Sequence, residues 1–173
     1  RPPFQQRNQP RPRDSARLTG RLLLVATPIG NLDDLAPRAV AAFASADLIA
    51  CEDTRHSAPL LRLLGIEGKP LLPVHEHNER EAAAGVIERL ARGDRVAYVS
   101  DAGTPAVSDP GAVLVAAAVA AGHRVLPLPG PSSALAALSV AGDAAAQGFT
   151  MLGFLPAKGQ ARHDALLQAL NET

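Results

Sequence analysis

From Arg21 onward, short apolar runs alternate with longer stretches whose apolar positions recur at helical spacing, and each short run ends in Gly, Pro, Asp or Asn. That rhythm predicts repeated βα units. Strands are expected at 22–26, 48–51, 71–74, 95–99 and 124–128, all short and nearly all apolar, as strands buried on both faces of a parallel sheet must be. Helices are expected at 35–46, 58–64, 79–92, 112–121 and 132–140. Asp34, Asn78 and the pair Pro131 and Ser132 serve as start signals, and Gly93 and Gly122 as stop residues. The fold class that follows is α/β, an open and mainly parallel sheet of about five strands flanked by helices. A sixth apolar run at 149–155 leads through Pro156-Ala157-Lys158-Gly159 into a helix-like stretch from Arg162.

Composition narrows this picture. With 173 residues, 47% of them hydrophobic, the chain suffices for about one domain. Aromatic residues make up only 3% and Trp is absent, so the core must be built from Ala, Val and Leu. The 17 basic and 17 acidic residues balance, leaving no strong overall field, so RNA binding would need a local basic patch or a partner. Residues 1–17 carry Pro2, Pro3, Pro10 and Pro12 among arginines and amides, and are expected to be a disordered tail. That segment lacks the apolar core of a signal peptide, and no apolar run is long enough to cross a bilayer. Cys51 has no intrachain partner and sits in an apolar run, which predicts a buried thiol and a reducing, cytoplasmic setting.

In an open parallel sheet, ligands bind outside the carboxyl ends of the strands, so the residues after each strand carry the chemistry. These are loop one (Thr27-Pro28-Ile29-Gly30-Asn31-Leu32), loop two (Glu52-Asp53-Thr54-Arg55-His56), loop three (His75-Glu76-His77-Asn78), loop four (Ser100-Asp101-Ala102-Gly103-Thr104-Pro105) and loop five (Pro129-Gly130-Pro131-Ser132-Ser133). Loops one, four and five combine Gly or Pro with small hydroxyl residues, which lets backbone groups approach a nucleoside-like ligand. The same residues also make plain tight turns. Neither a Walker lysine motif nor a dinucleotide fingerprint is present. Loops two and three are polar. His75 and His77 alternate by two, a spacing a metal can use, but it equally suits polar residues entering a helix, and no metal is expected.

The segments 27–32, 51–56, 99–105, 108–111 and 128–131, with Gly153-Phe154-Leu155-Pro156-Ala157-Lys158, together resemble the ribosomal RNA small subunit methyltransferase I family. That family is the 16S rRNA cytidine-2′-O-methyltransferase branch of the tetrapyrrole methylase superfamily. The resemblance implies a homodimeric, two-domain enzyme holding S-adenosylmethionine between its domains and methylating a cytidine ribose in 16S rRNA of the small ribosomal subunit. By this reading residues 18–145 form the S-adenosylmethionine-binding domain. Residues 146–173 are a linker and the start of a truncated C-terminal domain, and the chain alone is expected to be inactive. The cofactor would be touched by Pro28, Ile29, Gly30 and Asn31, by Ser100, Asp101, Ala102, Gly103, Thr104 and Pro105, and by Gly130, Pro131, Ser132 and Ser133. Ser132-Ser133 stands where relatives can carry Cys-Ala.

Arg55, His56, His75 and Lys158 are placed on the RNA side. Arg55 can hold a phosphate in a bidentate pair or join an ion pair with Glu52 or Asp53. A general base assisting the ribose hydroxyl has four candidates, Asp101, Asp53, Glu52 and His77, none singled out by sequence. Asp101 also fits an Asx-turn. Two rival readings stand beside this one: a methyltransferase acting on a tetrapyrrole macrocycle, and a non-catalytic domain that retains cofactor binding.

Overall fold

The apolar runs become strands β1 (Arg21–Val25), β2 (Leu48–Cys51), β3 (Leu71–Pro73), β4 (Arg95–Val99) and β5 (Arg124–Leu128). The periodic stretches become helices α1 (Pro37–Ser45), α2 (Thr54–Leu63), α3 (Glu79–Ala91), α4 (Ala112–Ala120), α5 (Ser133–Ala141) and α6 (Gly159–Asn171). The computed structural model describes residues 20–145 and 147–171, so the 1–17 tail expected from sequence lies outside the described residues. No helix among the described residues is long and apolar enough to cross a membrane.

The sheet runs β3-β2-β4-β1-β5 with every pairing parallel, which is the α/β class expected. Alternation along each strand sorts side chains to two faces. Leu22, Leu48, Ala50, Val96 and Tyr98 pack with α3 and α4 through Val86, Leu90, Leu114 and Ala118. Leu23, Val25, Ile49, Cys51, Ala97 and Val99 pack with α1 and α2 through Ala39, Ala42, Phe43 and Leu61. Small side chains dominate both layers, as the scarcity of aromatics requires. Cys51 is buried, and burial pushes its thiol above the usual range.

The neighbours β1 and β4 have connections leaving in opposite directions, toward β2 and toward β5. Their carboxyl ends therefore flank the crevice where open α/β sheets bind ligands.

Helix boundaries depart from the sequence pattern where side chains cap unexpectedly. Helix α2 starts at Thr54 rather than 58, because the Asp53 carboxylate accepts the Arg55 backbone N–H at 2.8 Å and Pro59 is accommodated inside the helix. Arg55 and His56 thus stand on the first turn of a helix. Asp34 does not start α1: it closes a 3₁₀ turn, Leu32–Asp34, in which Asn31 accepts the Asp33 N–H at 3.1 Å, and α1 begins at Pro37. Asn78 sits at the N-cap of α3, but its side chain turns back to accept the His75 N–H at 2.9 Å and donate to the Pro73 carbonyl at 3.0 Å. Ser132 does cap α5, accepting from the Leu135 N–H at 3.5 Å. Residues 149–155 form no strand, and α6 starts at Gly159, ahead of Arg162.

One buried carboxylate organises the far side of the sheet. Glu79, at the start of α3, accepts the backbone N–H groups of Gly111, Val113 and Leu114 at 2.9, 2.8 and 3.0 Å through a single oxygen, Oε1. Helix α4 has no side-chain cap of its own, so a neighbouring helix supplies one. Gly111 holds φ at 125°, and a Cβ there would clash with Cε1 of the buried Tyr98. The end of the 108–111 turn is held by Glu79, and the absence of a side chain at Gly111 lets it lie close over Tyr98.

Candidate functional site

Loops one, four and five converge at the switch point between β1 and β4. Thr27 and Gly103 form a reciprocal bridge, with N–H to carbonyl distances of 2.9 and 3.0 Å, and the Thr27 hydroxyl donates to the Ser100 carbonyl at 3.4 Å. The Thr104 hydroxyl donates to the Pro131 carbonyl at 3.0 Å, tying loop four to loop five. Gly103 adopts φ 78°, and its missing Cβ leaves room against Ile29 Cγ2, which would otherwise lie 3.4 Å away.

These loops border an open cleft of about 320 Å3 lined by Ile29, Ala102, Gly103, Thr104, Ser132 and Ser133, with Val107, Met151 and Phe154 on its apolar side. Of the remaining expected cofactor residues, Asn31 is occupied as a turn cap and Ser100 is buried beneath loop four, its hydroxyl donating to the Ala102 carbonyl at 3.3 Å. Pro28, Pro105, Gly130 and Pro131 are not among the residues lining the cleft; Gly130 lies close against Ala26, and the Pro131 carbonyl accepts from Thr104.

Loops two and three build a second, polar cleft of about 590 Å3 beside the first, lined by Glu52, Asp53, Arg55, His75, Glu76, His77 and Asp101 among others. The two clefts share Ser108, Asp109 and Phe154. Asp101, grouped by sequence with the cofactor loop, faces this polar side. Its carboxylate Oδ2 lies 2.7 Å from His56 Nδ1, and its backbone N–H donates to Glu52 Oε2 at 3.2 Å. Arg55 grips Asp53, with Nε 3.0 Å from each carboxylate oxygen and Nη2 2.6 Å from Oδ2, so of the three fates open to Arg55 the structure shows the Asp53 pair. His77 lies 3.2 Å from Glu76, both exposed. Lys158 stands just before α6 and lines neither cleft.

Electrostatics set Asp53 and Glu52 apart from each other. Hydrogen bonds from Arg55 hold the Asp53 carboxyl down at about 2. Burial pushes the Glu52 carboxyl up, and the carboxylates of Asp101, Asp109 and Asp53 reinforce that shift against the lowering bond from Asp101 N–H. The Asp101 carboxylate raises His56 above the ordinary imidazole value. Asp53, His56 and Asp101 bring ligand-type atoms within 4.8 Å of one another, but Arg55 and the His56–Asp101 bond already engage them, and the grouping is an ion-pair network.

Sequence reasoning passed over Ser108, Asp109, Met151 and Phe154 as lining residues. The 108–111 segment is conspicuous as a motif, yet only the fold brings it between the clefts, where the Ser108 hydroxyl reaches Met151 Sδ at 3.6 Å.

Comparison with known proteins places this architecture. The chain is 54% identical over 153 residues to ribosomal RNA small subunit methyltransferase I of Xylella fastidiosa, covering 88% of this chain and 55% of the relative. It is 53% identical over 149 residues to the Haemophilus influenzae protein of the same name, covering 86% and 52%. The chain thus spans about half the length of the curated relatives it matches. Among solved structures, uroporphyrin-III-C-methyltransferase from Thermus thermophilus superposes with a TM-score of 0.55 at 27% identity, over 71% of this chain and 52% of that one. A second structure of uroporphyrin-III C-methyltransferase from that organism, complexed with S-adenyl homocysteine, shares the fold with a TM-score of 0.54 at 22% identity, over 68% and 51%. The model for tetrapyrrole (corrin/porphyrin) methylases matches residues 21–173, and the chain belongs to that family.

Proposed function

We propose that this chain is the donor-binding half of a cytoplasmic, homodimeric, S-adenosylmethionine-dependent methyltransferase that acts on the 2′-hydroxyl of a cytidine ribose in 16S rRNA of the small ribosomal subunit. The carrying observation is the latched junction of loops one, four and five around an open cleft. It occurs in a chain about half identical to proteins named for ribosomal RNA methylation. The tetrapyrrole macrocycle reading draws on a weaker likeness, 27% against 54% identity.

The donor's sulfonium supplies an activated methyl group, so the protein's task is alignment and the management of one proton. The smaller cleft beside Gly103, where hydroxyl and apolar side chains mix, suits the donor, and the more highly charged cleft beside it suits the nucleotide. The ribose then sits at their common border near Ser108 and Asp109. Glu52 is our choice of general base, because it lines the polar cleft and burial raises its carboxyl, making it a better proton acceptor than a carboxylate at its ordinary value. Asp53 is held too acidic by Arg55, and Asp101 is engaged by His56. On the RNA side Arg55 and His56 are spent on internal carboxylates, leaving His75 and Lys158 for contact with substrate.

The test joins this chain to the C-terminal half of the Xylella relative and follows labelled methyl transfer to small subunits lacking the modification. Transfer to a cytidine 2′-oxygen is expected, with the chain alone inactive. Asp101→Ala and Gly103→Val, the latter placing a branched side chain at φ 78° beside Ile29, should each weaken donor binding roughly tenfold, about 1.4 kcal/mol. Wild-type donor affinity in both variants, measured by calorimetry, would remove the donor from this cleft.

A further inference from the structure

We infer that His56 is a positioning residue for the methyl-donor cleft: its imidazolium, bonded to the Asp101 carboxylate, fixes the start of loop four so that Ala102, Gly103 and Thr104 present the donor-binding wall. This role rests on the donor assignment proposed above. It differs from the RNA contact that the sequence position of His56 suggests.

The geometry is a clamp on one residue from two sides. His56 Nδ1 holds Asp101 Oδ2 at 2.7 Å, while Glu52 Oε2 accepts the Asp101 backbone N–H at 3.2 Å. Both restraints come from the segment that leaves β2 and enters α2, and both act on the residue immediately before the cleft-lining Ala102-Gly103-Thr104. Beyond Asp101, the Thr27 bridge to Gly103 and the Thr104 bond to Pro131 fix the rest of the loop. Among the described contacts of loop four, those at Asp101 are the ones that involve titratable side chains.

The charged groups facing His56 are Asp101 from loop four and Asp53 and Arg55 from the first turn of α2, with Glu52 reached through Asp101. Asp101 dominates and favours the imidazolium, with Asp53 adding to it and Arg55 opposing. Because the folded-state value is raised, the pair is complete at low pH and is lost as pH rises through the His56 titration. Both side chains are well exposed, at 63% and 33%, so the effect is that of a screened surface pair. A change of about two- to five-fold in donor affinity is expected.

The experiment measures S-adenosylmethionine affinity of the complete protein from pH 6 to 9, together with His56→Gln and His56→Lys. Wild type should lose affinity as pH rises. His56→Gln should bind about two- to five-fold more weakly at low pH and lack that limb. His56→Lys, charged throughout the range, should keep the low-pH affinity and also lack the limb. A purely structural loss would lower affinity in both variants without flattening the profile. Persistence of the wild-type limb in either variant, or wild-type affinity in His56→Gln at every pH, overturns the role of His56 alone. Absence of donor binding by the wild type overturns both this role and the donor assignment.

Discussion

Helices α4 and α5 are both nine residues long and built mainly from Ala, Val and Leu, AVLVAAAVA and SALAALSVA, yet they meet opposite fates. Helix α4 lies between β4 and β5 in the chain and buries Leu114 and Ala118 against the sheet and α3. Among the described residues helix α5 buries none of its side chains: Leu135, Leu138 and Val140 are exposed, as are Leu166, Leu167 and Leu170 on α6. An apolar sequence thus declares a need for cover but not where the cover comes from. What anchors α4 is a partner helix and the Glu79 carboxylate, neither of which its own nine residues encode.

The contrast is broken most directly by truncating the matched leucines. Leu114→Ala should cost about 2–5 kcal/mol, whereas Leu138→Ala should stay within about 0.5 kcal/mol in this chain. Denaturant midpoints read both, and equal losses would show α5 to be as firmly packed as α4.

A second comparison sets the cap of α4 against that of α2. Glu79 is buried and satisfies three N–H groups, two of them buried, so Glu79→Ala should cost roughly 2–3 kcal/mol. Glu79→Gln, which keeps an acceptor oxygen, should cost about 1 kcal/mol. A stability change below that for the alanine variant would mean that solvent replaces the carboxylate at no cost. Asp53 caps α2 at the surface, and the effect there is smallest. Its carboxyl lies at about 2 in the folded protein, below the ordinary value, so the pair with Arg55 contributes at neutral pH and is lost as pH falls toward about 2. Carboxyl NMR should place the Asp53 midpoint near that value, and Arg55→Ala should return it toward the ordinary range. An unchanged midpoint would assign the shift to something other than the guanidinium.

The strands were legible because each is an apolar run long enough to cross a sheet and bounded by turn residues, and their observed limits differ by one residue at β1 and β3. The convergence of loops one, four and five followed from the strand order that such runs adopt. Legibility failed wherever a side chain acted across the chain. Asp53 moved the start of α2, and His56 and Asp101 pair across 45 positions of sequence. Glu79 looks like any acidic residue opening a helix, although it caps a different helix. Phe154 and Met151, in a segment with no regular structure, carry no periodic signal that would seat them beside loop four. Local pattern reports what a segment is, and these residues matter for what they reach.

The Thr27–Gly103 bridge continues the alignment of β1 and β4 beyond the sheet, so the two walls of the switch-point crevice behave as one body. A ligand entering there meets a surface whose backbone disorder has already been removed during folding. Less conformational entropy remains to be lost on association, and the free energy of contact is retained as affinity. The exposed segment around Phe154 carries no backbone bridge of that kind among the described contacts, only the Ser108 to Met151 side-chain contact, so more of the entropic cost of ligand capture falls on that side of the cleft.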